Sequence, residues 1–138
     1  MSRVSVTADE QAYIQARVDR FVEEAPQELR WQIPHVRIHG ALPLYSGWVE
    51  SVGIRPDGTL VRWSTEEDWT EARELYNATW ATTALVQGAE RYPKLRHLIP
   101  SRPVAAHTCE VCGGTGRFPS VPAIICECGG VGWIGAAG

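Results

Sequence analysis

Apolar and polar residues follow two different periods along this chain, and the changes of period mark its elements. Ile14, Val18, Phe21, Val22 and Ala25 recur at helical spacing. Thr7-Ala8-Asp9-Glu10 precedes them in the form of a capping box, with Thr7 at N-cap and Glu10 three residues on. This pattern predicts a helix over residues 8–24. Pro26 ends it or opens a short turn through Trp31, and Pro34 leads into extended chain. From 35 to 63 the period is two. His35-Val36-Arg37-Ile38-His39 alternates as a half-buried strand does, 45–54 reads as a second strand and 59–63 as a third. Arg55-Pro56-Asp57-Gly58 joins the last two: Pro presets φ and Gly takes the positive φ that closes a hairpin. A three-stranded antiparallel sheet follows, with the place of its first strand left open.

Ser64-Thr65-Glu66-Glu67 has the form of a second capping box, and its acids suit the positive end of a helix predicted over 66–91. Pro93 breaks that helix. Trp69, Ala72, Tyr76 and Trp80 form one stripe and Leu75, Ala78, Leu85 and Ala89 another. So wide an apolar face predicts contact on two sides, with the sheet on one and the first helix or the C-terminal cysteines on the other. Pro93, Pro100 and Pro103 make the next stretch a semi-rigid connector.

The chain has 138 residues, 44% apolar and 21% charged. Roughly 150 residues make a domain, so this is about one, with enough surface removed from water to build a core. That composition excludes wholesale disorder and a coiled coil. The longest apolar run, residues 123–126, is too short to span a membrane. The opening residues MSRVSVTADEQ lack the apolar stretch of a secretory signal, which predicts a cytoplasmic protein. A net charge of −3 argues against a large phosphate-binding surface. Twelve of the thirteen basic residues are Arg, the exception being Lys94, and this carries no functional information.

The four cysteines change the picture. Cys109, Cys112, Cys126 and Cys128 all fall in the last thirty residues, and in a reducing compartment they point to metal before disulfides. They sit in a near-repeat at an offset of sixteen: Cys112-Gly113-Gly114-Thr115-Gly116-Arg117-Phe118 against Cys128-Gly129-Gly130-Val131-Gly132-Trp133-Ile134. Two cysteines on one tight turn grip a metal ion from one side, and a second such turn completes the tetrahedron of thiolates that zinc prefers. The glycines let backbone near the ion turn sharply and aim its amides at the sulfurs. Four thiolates close the shell, so the site reads as one structural Zn²⁺ and not a catalytic one. Iron fits the same ligands, and reduced structural thiols or disulfides are the metal-free alternatives. His107, two residues before Cys109, could replace a ligand, although a place outside the shell suits it as well. With four thiolates and the dication the net charge becomes −5.

CxxCGGTG resembles the CxxCxGxG repeat of the cysteine-rich zinc domain in DnaJ-type co-chaperones. The resemblance covers residues 107–134 and implies a metal site. Cys126-Glu127-Cys128 departs from it with one spacer residue in place of two, two repeats stand where that family has four, and no His-Pro-Asp signature of a J-domain occurs. The chaperone role therefore does not carry over, and zinc ribbons and rubredoxin-like knuckles share the same local chemistry.

Other constellations have simpler explanations. Gly130-Val131-Gly132-Trp133-Ile134-Gly135 satisfies GxGxxG, but no helical pattern follows it, and Gly113-Gly114-Thr115-Gly116 lacks the Lys-Ser/Thr of a phosphate loop. His35 and His39 on one strand face could hold an anion or metal, although the wet face of an antiparallel sheet accounts for them. Glu66, Glu67 and Asp68 suit a helix start, and Arg91, Lys94, Arg96 and His97 suit a helix end. Most of the six tryptophans, Trp31, Trp48, Trp63, Trp69, Trp80 and Trp133, are assigned to the core. No Ser-His-Asp, HExxH or Cys-His arrangement stands out.

The expected architecture is α+β: an N-terminal helix, a three-stranded antiparallel sheet, a long helix and a C-terminal zinc-ribbon-like module. Residues 1–100 form the core and 101–138 the cysteine module packed on it. The leading function is a non-enzymatic, zinc-stabilised protein-binding module: an inhibitor or immunity protein, an adaptor or a chaperone-like factor. Its partner is expected to be a protein with a basic surface, contacted through Arg117, Phe118 and Trp133. The alternatives are a small enzyme with its cleft between sheet and long helix, and a nucleic-acid-binding zinc ribbon, which the acidic balance disfavours.

Overall fold

The computed structural model describes residues 3–46, 50–64, 73–74, 78–102, 104–126 and 128–134. Its α+β chain divides into two compact units, Met1–Asn77 and Ala78–Gly138.

The first unit opens with the capping box. The Glu10 amide donates to Thr7 Oγ1 at 3.1 Å and the Thr7 amide to Glu10 Oε1 at 2.9 Å, which starts helix α1, Ala8–Asp19. A break at Arg20 separates it from the single turn α2, Phe21–Glu24, so the predicted helix is present in two pieces. Ile14 and Phe21 are its buried contributions to the core. After Pro26 a 3-10 helix, Gln27–Gln32, runs directly into helix α3, Ile33–His39.

Helix α3 corrects the expectation of a strand at 35–39. Pro34 occupies the first turn, where its fixed φ is already helical, and Gly40 ends the helix at φ 62°. Val36 and His39, three positions apart, turn inward, while Ile38 is 61% exposed. A polar-apolar alternation of five residues fits this helical face as well as it fits a strand.

The expected strand at 45–54 is two strands, β1 (Leu42–Ser46) and β2 (Glu50–Ile54), paired antiparallel with a bulge between Pro43 and Tyr45. Pro43 cannot donate to a ladder, and β1 lies at the sheet edge, where that is tolerated. The hairpin from β2 to β3 (Leu60–Ser64) forms as predicted, with the Gly58 amide donating to Arg55 O at 2.8 Å and Gly58 at φ 92°. These three antiparallel strands make the body of the sheet. A two-residue strand β4, Arg73–Glu74, pairs with β3 to give the order β1-β2-β3-β4.

Strand β4 also corrects the predicted helix at 66–91. Ladder bonds to β3 hold residues 73–74 extended, and helix α4 covers Ala78–Arg91. Thr65, Glu66, Glu67, Asp68, Trp69, Ala72, Leu75 and Tyr76, like Trp48 earlier, lie outside the described residues.

The second unit begins with α4, which buries Ala81, Ala84, Leu85 and Ala89. The proline stretch read as a connector starts instead as a 3-10 helix, Pro93–Leu98, with Leu95 and Leu98 buried. Four short strands follow: β5 (His107–Thr108), β6 (Arg117–Phe118), β7 (Val121–Ile125) and β8 (Trp133–Ile134). They pair as β5 with β8 and β6 with β7. No helix among the described residues is long and apolar enough to cross a membrane.

Candidate metal centre

The sixteen-residue repeat folds into two arms related by an approximate twofold. In each arm a strand leads into a cysteine turn and a second strand leaves it. The strand entering the first arm, β5, pairs with the strand leaving the second, β8. The strand leaving the first, β6, pairs with the strand entering the second, β7. The backbone bonds repeat this exchange. The Cys109 amide donates to Gly132 O at 3.0 Å, and the Cys126 amide donates to Gly116 O at 2.9 Å. One amide of each turn also returns to its own first cysteine: Gly113 to Cys109 O at 2.8 Å and Gly129 to Cys126 O at 3.0 Å.

Glycine is required where the arms meet. Gly116 and Gly132 have φ of 78° and 83°, and a Cβ on Gly116 would run into the carbonyl oxygen of Gly130. A Cβ on Gly132 would run into the carbonyl oxygen of Gly114. The third glycine of each arm thus lies against the second glycine of the other. Gly113, Gly114, Gly129 and Gly130 take positive φ as well, so the repeat is conformational and not only one of composition.

This exchange brings the four sulfurs together. Cys109, Cys112 and Cys126 are buried and Cys128 is half-buried. Their Sγ atoms all lie within 4.8 Å of one another. Cys109 and Cys126 are 3.7 Å apart, and Cys112 and Cys128 are 3.9 Å apart. A disulfide needs about 2.05 Å, so these are free thiols. Zinc–sulfur bonds of about 2.3 Å in a tetrahedron place sulfurs about 3.8 Å apart. The cluster is compatible with one zinc ion, and four cysteines would leave no ligand position open.

Electrostatics points the same way. Burial raises the Cys112 thiol, but the amides of Gly116 and Gly114 and the thiols of Cys109 and Cys126 outweigh it and bring it down to about 6. The Gly116 amide lies 3.3 Å from Cys112 Sγ. Cys126 moves oppositely, pushed up to about 12 by burial first and by its three neighbouring sulfurs. One negative sulfur in the cluster opposes the next, and a dication at the centre removes that opposition.

His107 lies exposed on β5, outside the four-sulfur cluster. Arg117, named as a partner contact, forms an ion pair with Glu90 of α4. Phe118 and Trp133 are half-buried, Trp133 opposite Thr108 in the β5–β8 pair. Gly130 approaches Val86 of α4 closely enough that a Cβ there would lie 3.0 Å from Cγ1. The cysteine arms therefore pack on α4, as one half of the two-sided contact expected of that helix. Val104, Val111, Val121 and Ile134 of the same module are exposed aliphatic residues.

Sequence reasoning missed a second cluster, in Met1–Asn77. Gln32 is fully buried and donates to Ser46 Oγ at 2.9 Å and Ser51 Oγ at 2.8 Å, while accepting from the Trp63 indole. His35 and His39 are not on a wet sheet face: both imidazoles lie nearly parallel to the Trp63 indole. Pro34 before the pair and Gly40 after it were the signals of the helix that places them there. No family model, curated protein or solved structure matches this chain, and the cysteine motif alone assigns it to no family.

Proposed function

We propose that this chain is a non-enzymatic protein-binding module held in shape by one structural zinc ion. Inhibitor or immunity protein and adaptor are the roles that this reading covers. The observation that carries it is the closed set of four sulfurs. A catalytic zinc keeps a position open for water or substrate, and four clustered thiolates around one ion would fill every position. Cys109, Cys112, Cys126 and Cys128 would hold the ion, and what it supplies is a fixed relation between two glycine-rich turns.

The contact surface is then the shape those turns present. Val111, Val121 and Ile134 are exposed and Phe118 and Trp133 half-buried in the same module, the kind of aliphatic and aromatic supply that anchors an interface. Arg117 contributes by fixing β6 to α4 through Glu90, and Trp133 is the principal anchor. The partner carries a basic surface, because the chain as a whole has a formal net charge of −3, or −5 with four thiolates and the dication, which steers a cationic protein toward it.

The test compares zinc-loaded wild type with Trp133→Ala as bait in lysate of the native host, with captured proteins identified by mass spectrometry. A basic protein held by wild type and lost by the variant, at unchanged melting temperature, supports the reading. Retained capture, or a large fall in melting temperature, removes Trp133 from the interface. No protein held by wild type overturns the binding role.

A further inference from the structure

The unit Met1–Asn77 contains a buried base for which the described residues supply no counterion. His39 is 5% exposed, and its Nε2 is buried with no hydrogen-bond partner among the described residues. Its ring centroid lies 5.3 Å from that of Trp63, at 29° between planes, and 5.8 Å from that of His35. His35 lies on the same indole at 5.9 Å and 13°, and Trp31 closes over the outer edge of His35 at 6.1 Å.

Among the described residues, the charged groups that act on His39 are cationic. On its own helix the neighbour is His35. From the β2–β3 hairpin comes Arg55, whose Nε donates to the His39 carbonyl oxygen at 3.1 Å. From β3 comes uncharged Trp63, and beside it on that strand Arg62 is paired with Glu50. From the 3-10 helix comes Gln32, which is uncharged and fully engaged with Ser46, Ser51 and Trp63. On α2, Glu24 is held by Arg17 and Arg20. An indole face attracts a cation, but two imidazoliums on one indole meet each other's charge and that of Arg55.

We propose that the His35–His39 pair on Trp63 is an acid-sensitive latch that holds α3 to the sheet, and that protonation of His39 releases it. The geometry supplies the two states. Neutral rings stack on the indole, and a charged His39 finds among the described residues no acceptor at Nε2 and no free anion to offset His35 and Arg55, so it leaves the interior. Burial first, then His35 and Arg55, hold His39 below its ordinary value. In the unfolded chain it titrates at about 6.5. The stability that the neutral ring contributes is therefore complete above about pH 6.5 and is lost as pH falls from there toward the lowered folded value. Each pH unit in that window reduces the folding equilibrium constant by up to about tenfold.

The test uses the full zinc-loaded chain, with zinc measured in every sample so that metal loss is separated from the latch. An imidazole NMR titration, assigned with His39→Gln, should place His39 below the free value and move the Trp63 indole N–H signal with it. His39 titrating at or above about 6.5, or a Trp63 signal indifferent to it, overturns the latch. His39→Phe keeps an aromatic ring and removes the proton, so its urea midpoint should lose most of the wild-type fall between pH 7 and pH 5. An unchanged pH profile in His39→Phe also overturns it. If that variant does not fold, the wild-type titration decides alone.

Discussion

The indole N–H of Trp63 donates to Gln32 Oε1 at 2.9 Å, joining side chains 31 positions apart in the chain. Through this bond the 3-10 helix is tied to β3, and through Ser46 and Ser51 to β1 and β2. Trp63 also sets what its neighbours can be. A Cβ on Gly53 would lie 2.7 Å from the end of its ring, so the indole crosses the sheet where β2 has no side chain. One buried amide satisfies three donors and acceptors while one indole supports two imidazoles. The polar groups of this core thus specify which turn meets which strand.

Gln32→Leu fills a similar volume but leaves the Trp63 N–H and two serine hydroxyls without their common partner. Unsatisfied buried groups of this kind cost about 1–3 kcal/mol each. The urea midpoint should fall by an amount equal to at least one such loss, while zinc content stays at the wild-type level. A midpoint within error of wild type would show that the network contributes nothing to stability.

The arms of the metal centre predict a contrast between glycines. Gly113 has φ 64° with nothing within 4 Å of a Cβ, so Gly113→Ala costs only the left-handed backbone, about 1–2 kcal/mol. Gly116→Ala adds a collision with the Gly130 carbonyl at the point where the arms cross. Zinc competition with a chelator should show Gly116→Ala losing metal far sooner than Gly113→Ala. Equal retention would mean that the arms do not cross in this way.

Cys112→Ser removes one of four sulfurs and the group to which the Gly116 amide is directed. Structural zinc contributes about 10–16 kcal/mol of apparent binding energy in small modules. Hydrogen exchange should therefore rise across residues 107–134, with α1 and β1–β3 keeping their protection. Protection lost equally in both units would show that the zinc supports the whole chain.

Duplex DNA and RNA should not bind. The second unit has a formal excess of two positive charges, and a four-thiolate zinc centre of charge −2 cancels it. Little counterion release is left to drive association. Submicromolar binding to a natural duplex at physiological salt, weakening steeply as salt rises, would contradict this.

How much of the molecule could be read from the sequence depended on whether a signal was local. The Thr7–Glu10 capping box, the Pro56–Gly58 turn and the cysteine repeat each lie within a few residues of their own chemistry, and each has its predicted counterpart in the structure. Residues 35–39 misled because five alternating residues fit two periods, and the deciding marks, Pro34 and Gly40, lie just outside them. Arg73 and Glu74 are extended because β3 offers them a ladder, and the apolar spacing around them gives no sign of it. Gln32 was overlooked because a polar residue is normally assigned to the surface. Its burial follows only once Ser46, Ser51 and Trp63 are known to converge on it.

Metal content tests the central claim most directly. Protein purified under reducing conditions and freed of loose ions by dialysis should contain one zinc per chain by elemental analysis, and Cys112→Ser should contain little or none. Wild-type protein with no stoichiometric zinc or iron would contradict the account, because the closed four-sulfur shell from which the binding role is argued would then have nothing to enclose.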